Sequence, residues 1–493
     1  MPHKHKKHVK HAKIFTEAKQ SFPKTQPKVE DAITRKPTMS NLLKFALPTI
    51  LSMIIMSTMG IVDGVFVSRW IDQNALAAVS LVFPFFGFVM AIGFMLGVGG
   101  NAMIAKKIGE GKEVEGRQNF SLIIITGIIV AAAISMIGVL APDFILNILG
   151  VDYGVARQMA IDYMMPLVYF APVIVSGMMF QQFLITAGKA HYSAITSFAS
   201  GIVSIGLNFL FIYHLDMGLQ GAALATSIGY SLSALVGWVF FSINRKGNLY
   251  FVMPKFDIRA LGRASINGAS EMVTMLATSI VVVLMNNILM DIEGGGLEAV
   301  AAASIMFAGM GVFSALFIGY SSGVAPITSY NFGKGDTDNL KLSYKNNMII
   351  IGVLSIVATG LAFLLIDPLM LVYDIEPYVH MFDFIPTPDM YGIYVENSVY
   401  HLARRGFFFI TASFILMAYN SFGTMFFTAL NNGVVSSLLS LFRTLIFPVL
   451  AFWILPTIWG LDGAWAAMPA AEILGIVLTV VFFIKMKKRY NYA

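Results

Sequence analysis

The sequence predicts an all-α integral membrane protein with about twelve transmembrane helices in two homologous six-helix lobes. Three observations lead there. Composition is the first: 57% of the 493 residues are hydrophobic and only 12% charged, with a mean hydropathy of +0.75. A soluble domain carries about 25% charged residues. The second is run length, since mostly apolar stretches of roughly 18 or more residues recur, each long enough to cross a ~30 Å hydrocarbon core. The third is an internal repeat. ALAAVSLVFPFFGFVMAIGFMLGVGGNAMIAKKIGEG, from Ala75, aligns without a gap to AVAAASIMFAGMGVFSALFIGYSSGVAPITSYNFGKG, from Ala299, an offset of about 224 residues. Gly87/Gly311, Gly99/Gly323, Gly109/Gly333 and Gly111/Gly335 are among the identities, and both copies end in a Gly-x-Gly turn beside charges. Later, Thr186-Ala187 matches Thr428-Ala429, and Gly221-Ala222 matches Gly463-Ala464.

In chain order, residues 1–40 form a polar, basic arm opening HKHKKHVKHAK. No apolar run precedes Leu42, so a secretory signal is not expected. His3, His5, His8 and His11 have no carboxylate or cysteine beside them and read as part of an arm near anionic headgroups. The first lobe, 41–243, holds spans near 41–70, 76–104, 120–141, 164–186, 194–213 and 218–243. A linker at 244–263 carries Arg245, Lys246, Lys255, Arg259 and Arg263. The second lobe, 264–485, repeats the order near 264–290, 298–330, 346–366, 404–430, 435–455 and 462–484, and a tail at 486–493 follows. Residues 376–400 form an insertion that reads as a Pro-containing polar loop.

Charge sets the expected orientation. Alternate connections are basic: Lys106/Lys107/Lys112/Arg117, Lys189, the linker, Lys334/Lys341/Lys345 and the final KMKKR. The others carry Asp143, Asp152, Asp216, Asp291, Glu293, Glu298, Asp374 and Asp383, with Arg404-Arg405 the main exception. The positive-inside bias places both termini in the cytoplasm of a prokaryotic inner membrane. Both lobes then insert in the same direction, with a substrate path between them. The net charge of +6 sits in loops and tails, which points to lipid headgroups and not to nucleic acid. With no cysteine, disulfide and thiolate–metal chemistry drop out. No cofactor is expected, and a monomer is.

Ionisable residues inside the spans are few, and each is costly there, about 2.5–3.5 kcal/mol on the insertion scale. Asp63 lies in GIVDGVFV, in the outer half of the first span, where an acid binds or relays cations. Gly60 and Gly64 beside it would let the helix bend or a neighbour approach. Glu271 lies about two turns into the seventh span, and Arg443 and Glu472 are placed to pair between the last two. Ser204, Asn208, Thr226 and Asn420 are uncharged polar residues within spans, of the kind that also hold helices together.

The sequence resembles the multidrug and toxic compound extrusion (MATE) family of cation-coupled exporters over most of residues 41–485. LPTI, GIVDGVFVSRW and ALAAVS in the first two spans carry the likeness, with KKIGEGK after them. SIGLNFLFIYHLDMGLQGAALAT across the fifth and sixth spans, NFGKGD and GLDGAWAA add to it. The resemblance implies two six-helix lobes around a V-shaped cavity that rocks between inward- and outward-open states. It also implies a cation site at the first-helix acid, here Asp63. In one branch an Asn and an Asp of the fifth helix and a Thr of the sixth join that acid. The corresponding positions are Ser204, Asn208 and Thr226, so the second acid is missing. Another branch uses acids in the seventh and tenth helices. The tenth-helix position falls on Asn420, and the seventh-helix one near Met275, about one turn from Glu271.

The expected function is secondary active export: antiport of Na⁺ or H⁺ against amphipathic, often cationic, organic compounds. One carboxylate with neutral oxygens suits Na⁺, and a buried Asp can also cycle a proton. Phe83, Phe86, Met90, Phe307, Met310 and Phe313 are candidates for an adaptable cavity wall. The alternative is a flippase for lipid-linked oligosaccharides on a related duplicated fold, which would need a cationic cavity. Arg443 alone is a candidate for that. An intramembrane enzyme or sensor is a third reading, and no HExxH, Gly-x-Ser-x-Gly or phosphate-cradling motif supports it.

Overall fold

The computed structural model describes residues 32–71, 73–149, 155–245, 247–372, 378–380, 394–396 and 398–493. The arm up to residue 31 with its four histidines, Asp152, Asp374, Asp383 and most of the 376–400 insertion lie outside the described residues.

Several spans begin or end where local chemistry stops the helix. The first, Met39–Trp70, is opened by Thr38, whose Oγ1 accepts from the Asn41 amide at 3.4 Å. The second to fourth are Gln73–Gly109, Glu113–Leu140 and Val155–Thr186, with a short helix, Pro142–Ile148, before the fourth. The fifth, Ala190–Asn208, continues as a π-helical turn, Phe209–His214, and the sixth is Gly218–Ile243. Asp257 opens the seventh, Ile258–Asp291, accepting from the amides of Arg259 and Ala260. That cap starts the helix at 258, inside the stretch 244–263 that reads as linker. The eighth is Leu297–Lys334, stopped by Gly335 at φ 72°, and the ninth is Thr337–Val372.

The last three spans come from bent or interrupted helices. Ser398–Ala412 and Phe414–Ala429 make the tenth and meet at a 50° bend. Gly433–Tyr490 runs for 58 residues, about 87 Å at ~1.5 Å per residue and nearly three times the hydrocarbon thickness. It crosses twice. A π-helical turn interrupts it at Phe442–Ile446, and Gly460, at φ 56° and ψ −137°, breaks it. The eleventh span is therefore 433–459 and the twelfth 461–490. Ten helices are long and apolar enough to cross, the bent pair adds one, and the Gly460 break adds another. The described residues thus hold twelve spans. Where the sequence predicts only a loop, Tyr378–His380 pairs antiparallel with Tyr394–Glu396, Val379 opposite Val395.

The spans gather into two apolar cores. One collects side chains of the second, third, fourth and sixth spans, including Phe120, Phe180, Phe183 and Phe241. The other collects the eighth to twelfth, including Phe317, Phe407, Phe426 and Trp465. Each core also takes in the first turns of a helix from the other half. Leu42, Phe45, Ala46 and Ile50 of the first span join the second core. Ala260, Leu261 and Ala264 of the seventh join the first.

The exchange is made at glycines. Gly99 and Gly268 bring the second and seventh spans into backbone contact, since a Cβ on Gly99 would overlap the Ala264 carbonyl and one on Gly268 the Met95 carbonyl. In the other repeat, Gly319 would meet Ile50 Cα at 2.7 Å and Gly323 would meet Ala46 Cα at 3.0 Å. The second and eighth spans cross reciprocally. Gly109 lies on the Tyr330 carbonyl and Gly333 on the Lys106 carbonyl, and Lys106 and Tyr330 are themselves repeat equivalents. That is the signature of a local two-fold axis. Ser322 Oγ donates to Gln182 Oε1 at 3.2 Å and Asn431 Nδ2 to the Ala102 carbonyl at 3.3 Å, tying the halves nearby. All these contacts lie toward the end that carries the basic loops. Toward the other end, Gly60, Gly64 and Gly87 have open space where a side chain would be. Among the described residues no neighbour comes within 4 Å of a Cβ at Gly60 or Gly64, contrary to one use expected for them.

Gly268→Ala should therefore lower stability by about 1–3 kcal/mol, because backbone on the facing helix cannot yield. Gly60→Ala should be neutral or mildly stabilising. Thermal unfolding of the detergent-solubilised protein, followed by tryptophan fluorescence, compares the two.

Candidate functional site

Three helices of the first half converge on Asp63. Asn208, the last α-helical residue before the π turn of the fifth span, donates from Nδ2 to Asp63 Oδ1 at 2.7 Å. Thr226 of the sixth donates from Oγ1 to Asp63 Oδ2 at 3.0 Å. Asn208 and Thr226 are buried, and Asp63 is partly so. Thr226 Oγ1 is also 3.1 Å from the Ala222 carbonyl, so its single proton has two acceptors. Tyr163 and Tyr230 stand within electrostatic reach of the same carboxylate. Ser204 is on the same buried face one turn back toward the basic end, but its Oγ has no hydrogen-bond partner and does not reach Asp63. Asp63, Asn208 and Thr226 thus come together, and Ser204 stands apart.

The second half holds a different polar cluster. Arg443 lies in the π-helical turn of the eleventh span. Its Nε is 3.1 Å from both Glu472 carboxylate oxygens, and a terminal nitrogen is 3.0 Å from Oε1. Asn420 Nδ2 donates to Glu472 Oε2 at 2.7 Å and to the Glu472 carbonyl at 3.0 Å, while Asn420 Oδ1 accepts from Thr479 at 2.9 Å. The pair suggested by sequence exists, and Asn420 is its third member. Glu271 faces the same space within the field of Arg443, and among the described residues it makes no hydrogen bond or ion pair. Glu271, Arg443 and Glu472 line a cavity of about 370 Å³ with Thr424, whose Oγ1 is buried and unpartnered.

Of the aromatic and methionine candidates, Phe307 and Met310 line that cavity. Phe313 packs on Phe414 at 5.0 Å between ring centres instead. Phe86 is buried beside Tyr230, Met90 packs on the first core, and Phe83 is 59% exposed. Sequence reading missed Tyr163, Tyr230, Thr424 and Thr479. It also missed both π-helical turns, which start or fall at polar positions, a placement π turns often take. The only available signal was the rarity of polar residues in those spans.

Removing one member of the Arg443–Glu472 pair should destabilise by about 3–5 kcal/mol, since the other charge stays buried. Arg443→Met with Glu472→Met should recover much of that loss. A double-mutant cycle on thermal unfolding measures the coupling.

Comparison with known proteins agrees with this architecture. The MatE family model matches residues 48–210. The multidrug export protein MepA of Staphylococcus saprophyticus is 25% identical over 300 residues, 59% of this chain and 64% of that protein, so the match spans just under two thirds of the relative. MepA of Staphylococcus aureus is 25% identical over 338 residues, 67% of this chain and 72% of that protein. Among solved structures, an outward-facing multidrug resistance MATE transporter of the MOP superfamily superposes with a TM-score of 0.84 at 19% identity, covering 95% of this chain and all of that one. A MATE protein crystallised with MaL6 gives 0.84 at 20% identity over the same shares. The repeat and the twelve spans agree with the fold of these solved MATE transporters, and residues 48–210 are similar to the MatE family.

Proposed function

We propose that the protein is a secondary active exporter that exchanges Na⁺ or H⁺ for amphipathic organic cations by alternating access. One observation carries the reading: a carboxylate inside an apolar span, held by an amide and a hydroxyl from two neighbouring helices. As drawn together here, both partners donate protons, which satisfies an anionic Asp63. A cation arriving at the carboxylate changes that pattern. The Thr226 hydroxyl can turn its proton to the Ala222 carbonyl and offer a lone pair. A half-turn of the Asn208 amide exchanges its nitrogen for oxygen. The site then presents carboxylate, amide and hydroxyl oxygens, the hard donors that Na⁺ favours. A proton delivered to Asp63 uses the same two rotations.

With the basic end cytoplasmic, the halves are closed on the inside and part toward the outside. The ion enters from outside, rearranges the fifth and sixth spans around Asp63 and favours the packing in which the organic cation binds weakly. Coupling requires that ion and drug prefer different packings, since equal affinity shifts nothing. The polar cavity of the second half, with methionine and phenylalanine in its wall, suits varied amphipaths. A lipid-linked oligosaccharide flippase is not favoured: two carboxyls line that cavity, and its one guanidinium is already held by Glu472.

Ethidium efflux from cells with Na⁺ and pH gradients imposed separately tests this. Wild type should respond to one gradient, and Asp63→Asn should lose the response while still folding in the membrane. Thr226→Ala should raise the ion concentration for half-maximal efflux roughly tenfold, the loss of one interaction of about 1.4 kcal/mol. Efflux by Asp63→Asn equal to wild type would remove Asp63 from the mechanism.

A further inference from the structure

A second cavity, of about 400 Å³, opens between the halves at the basic end. Lys106, Lys107 and Lys112 reach it from the second span and the loop that follows. Arg263 of the seventh span and Asn432, at the start of the eleventh, face them from the other half. One lining acid, Glu110, lies 3.0 Å from Lys112 and 3.9 Å from Lys106, and Lys107 turns to Glu115 at 2.7 Å. Arg263 makes no hydrogen bond or ion pair among the described residues. Asn432 spends its Oδ1 on capping the Gly433–Leu441 helix, at 3.4 Å from the Val435 amide, while its Nδ2 is buried without a partner. The Gly433 and Val434 amides, ahead of the capped Val435, add further donors.

Arg263 and Asn432 Nδ2 are a spare positive charge and a spare proton donor, which is what phosphate oxygens require, while Asn267 Oδ1 is a buried acceptor left over in the same wall. We propose that this cavity binds a phosphate-bearing anion that bridges the halves. A bound phosphate holds the second span of one half against the seventh and eleventh of the other. It therefore favours the packing closed at the basic end, by its differential affinity for that packing. The site is separate from Asp63 and does not depend on which compound is exported. Anionic phospholipid headgroups at the membrane surface are the abundant source, and a soluble phosphate has the same chemistry.

The test uses the full chain in phosphatidylcholine nanodiscs. The natural sequence has no cysteine, so spin labels at Lys189→Cys and Lys341→Cys report the separation of the halves without background. Titration with phosphatidylglycerol should shift the distance distribution toward the closed packing. Arg263→Gln with Lys112→Gln should weaken the apparent affinity roughly 30-fold, the effect of two surface cations. Both residues are exposed, and Arg263→Lys with Lys112→Arg should retain the response. Inorganic phosphate producing the same saturable shift, lost in the Gln variant, supports the site with a soluble anion as its source. No shift with either probe, or an undiminished lipid effect in the Gln variant, overturns the proposal.

Discussion

The backbone contact of Gly109 with Tyr330 and of Gly333 with Lys106 constrains the whole molecule. Lipid offers no hydrophobic force to join helices, so association rests on close packing, and glycine permits the closest. Here the close approaches cluster at one end, at the turns that the two repeats share. Toward the opposite end, Gly60, Gly64 and Gly87 make no such close approach. The exchange of first turns between the cores follows from the same crossing: pinning the second span to the seventh, and the eighth to the first, places each opening helix against the other half.

Charge inside the spans is then arranged in two contrasting ways. Glu472 has a guanidinium on one side and an amide on the other, and so is held as a structural anion. Among the described residues Asp63 is hydrogen-bonded by dipoles alone, which stabilise a charge without neutralising it. A group in that position gains most from a mobile counter-charge, whereas Glu472 has little to gain. The physical difference between a carboxylate that holds helices and one that can take cargo is whether its counter-ion is part of the chain.

Much of this was legible in the sequence because it is local or periodic. The repeat and the twelve spans follow from apolar run length and turn chemistry. The meeting of Asp63, Asn208 and Thr226 came from family resemblance, since nothing in their spacing of 145 and 163 residues places them together. What escaped was non-local or conformational. The bend after Ala412 has no proline to announce it, and Gly460 reads as one glycine among 43. The π turns carry no distinct composition. Ser204 shows the limit of carrying positions over: it has the right face and helix, but sits one turn from the carboxylate.

The duplication has left its two halves with an equal hinge and an unequal electrical content. The interval between the glycine-facing Ala46 and Ala264 carries Asp63 onto Val281, a buried aliphatic residue lining the cavity of Glu271, Arg443 and Glu472. Only one half therefore holds a carboxylate at that position. Under the proposed exchange, a single monovalent ion inward against a single monovalent drug outward moves no net charge. Membrane voltage would do no work on such a cycle, and the concentration difference of the ion alone would set how far the drug can be concentrated outside.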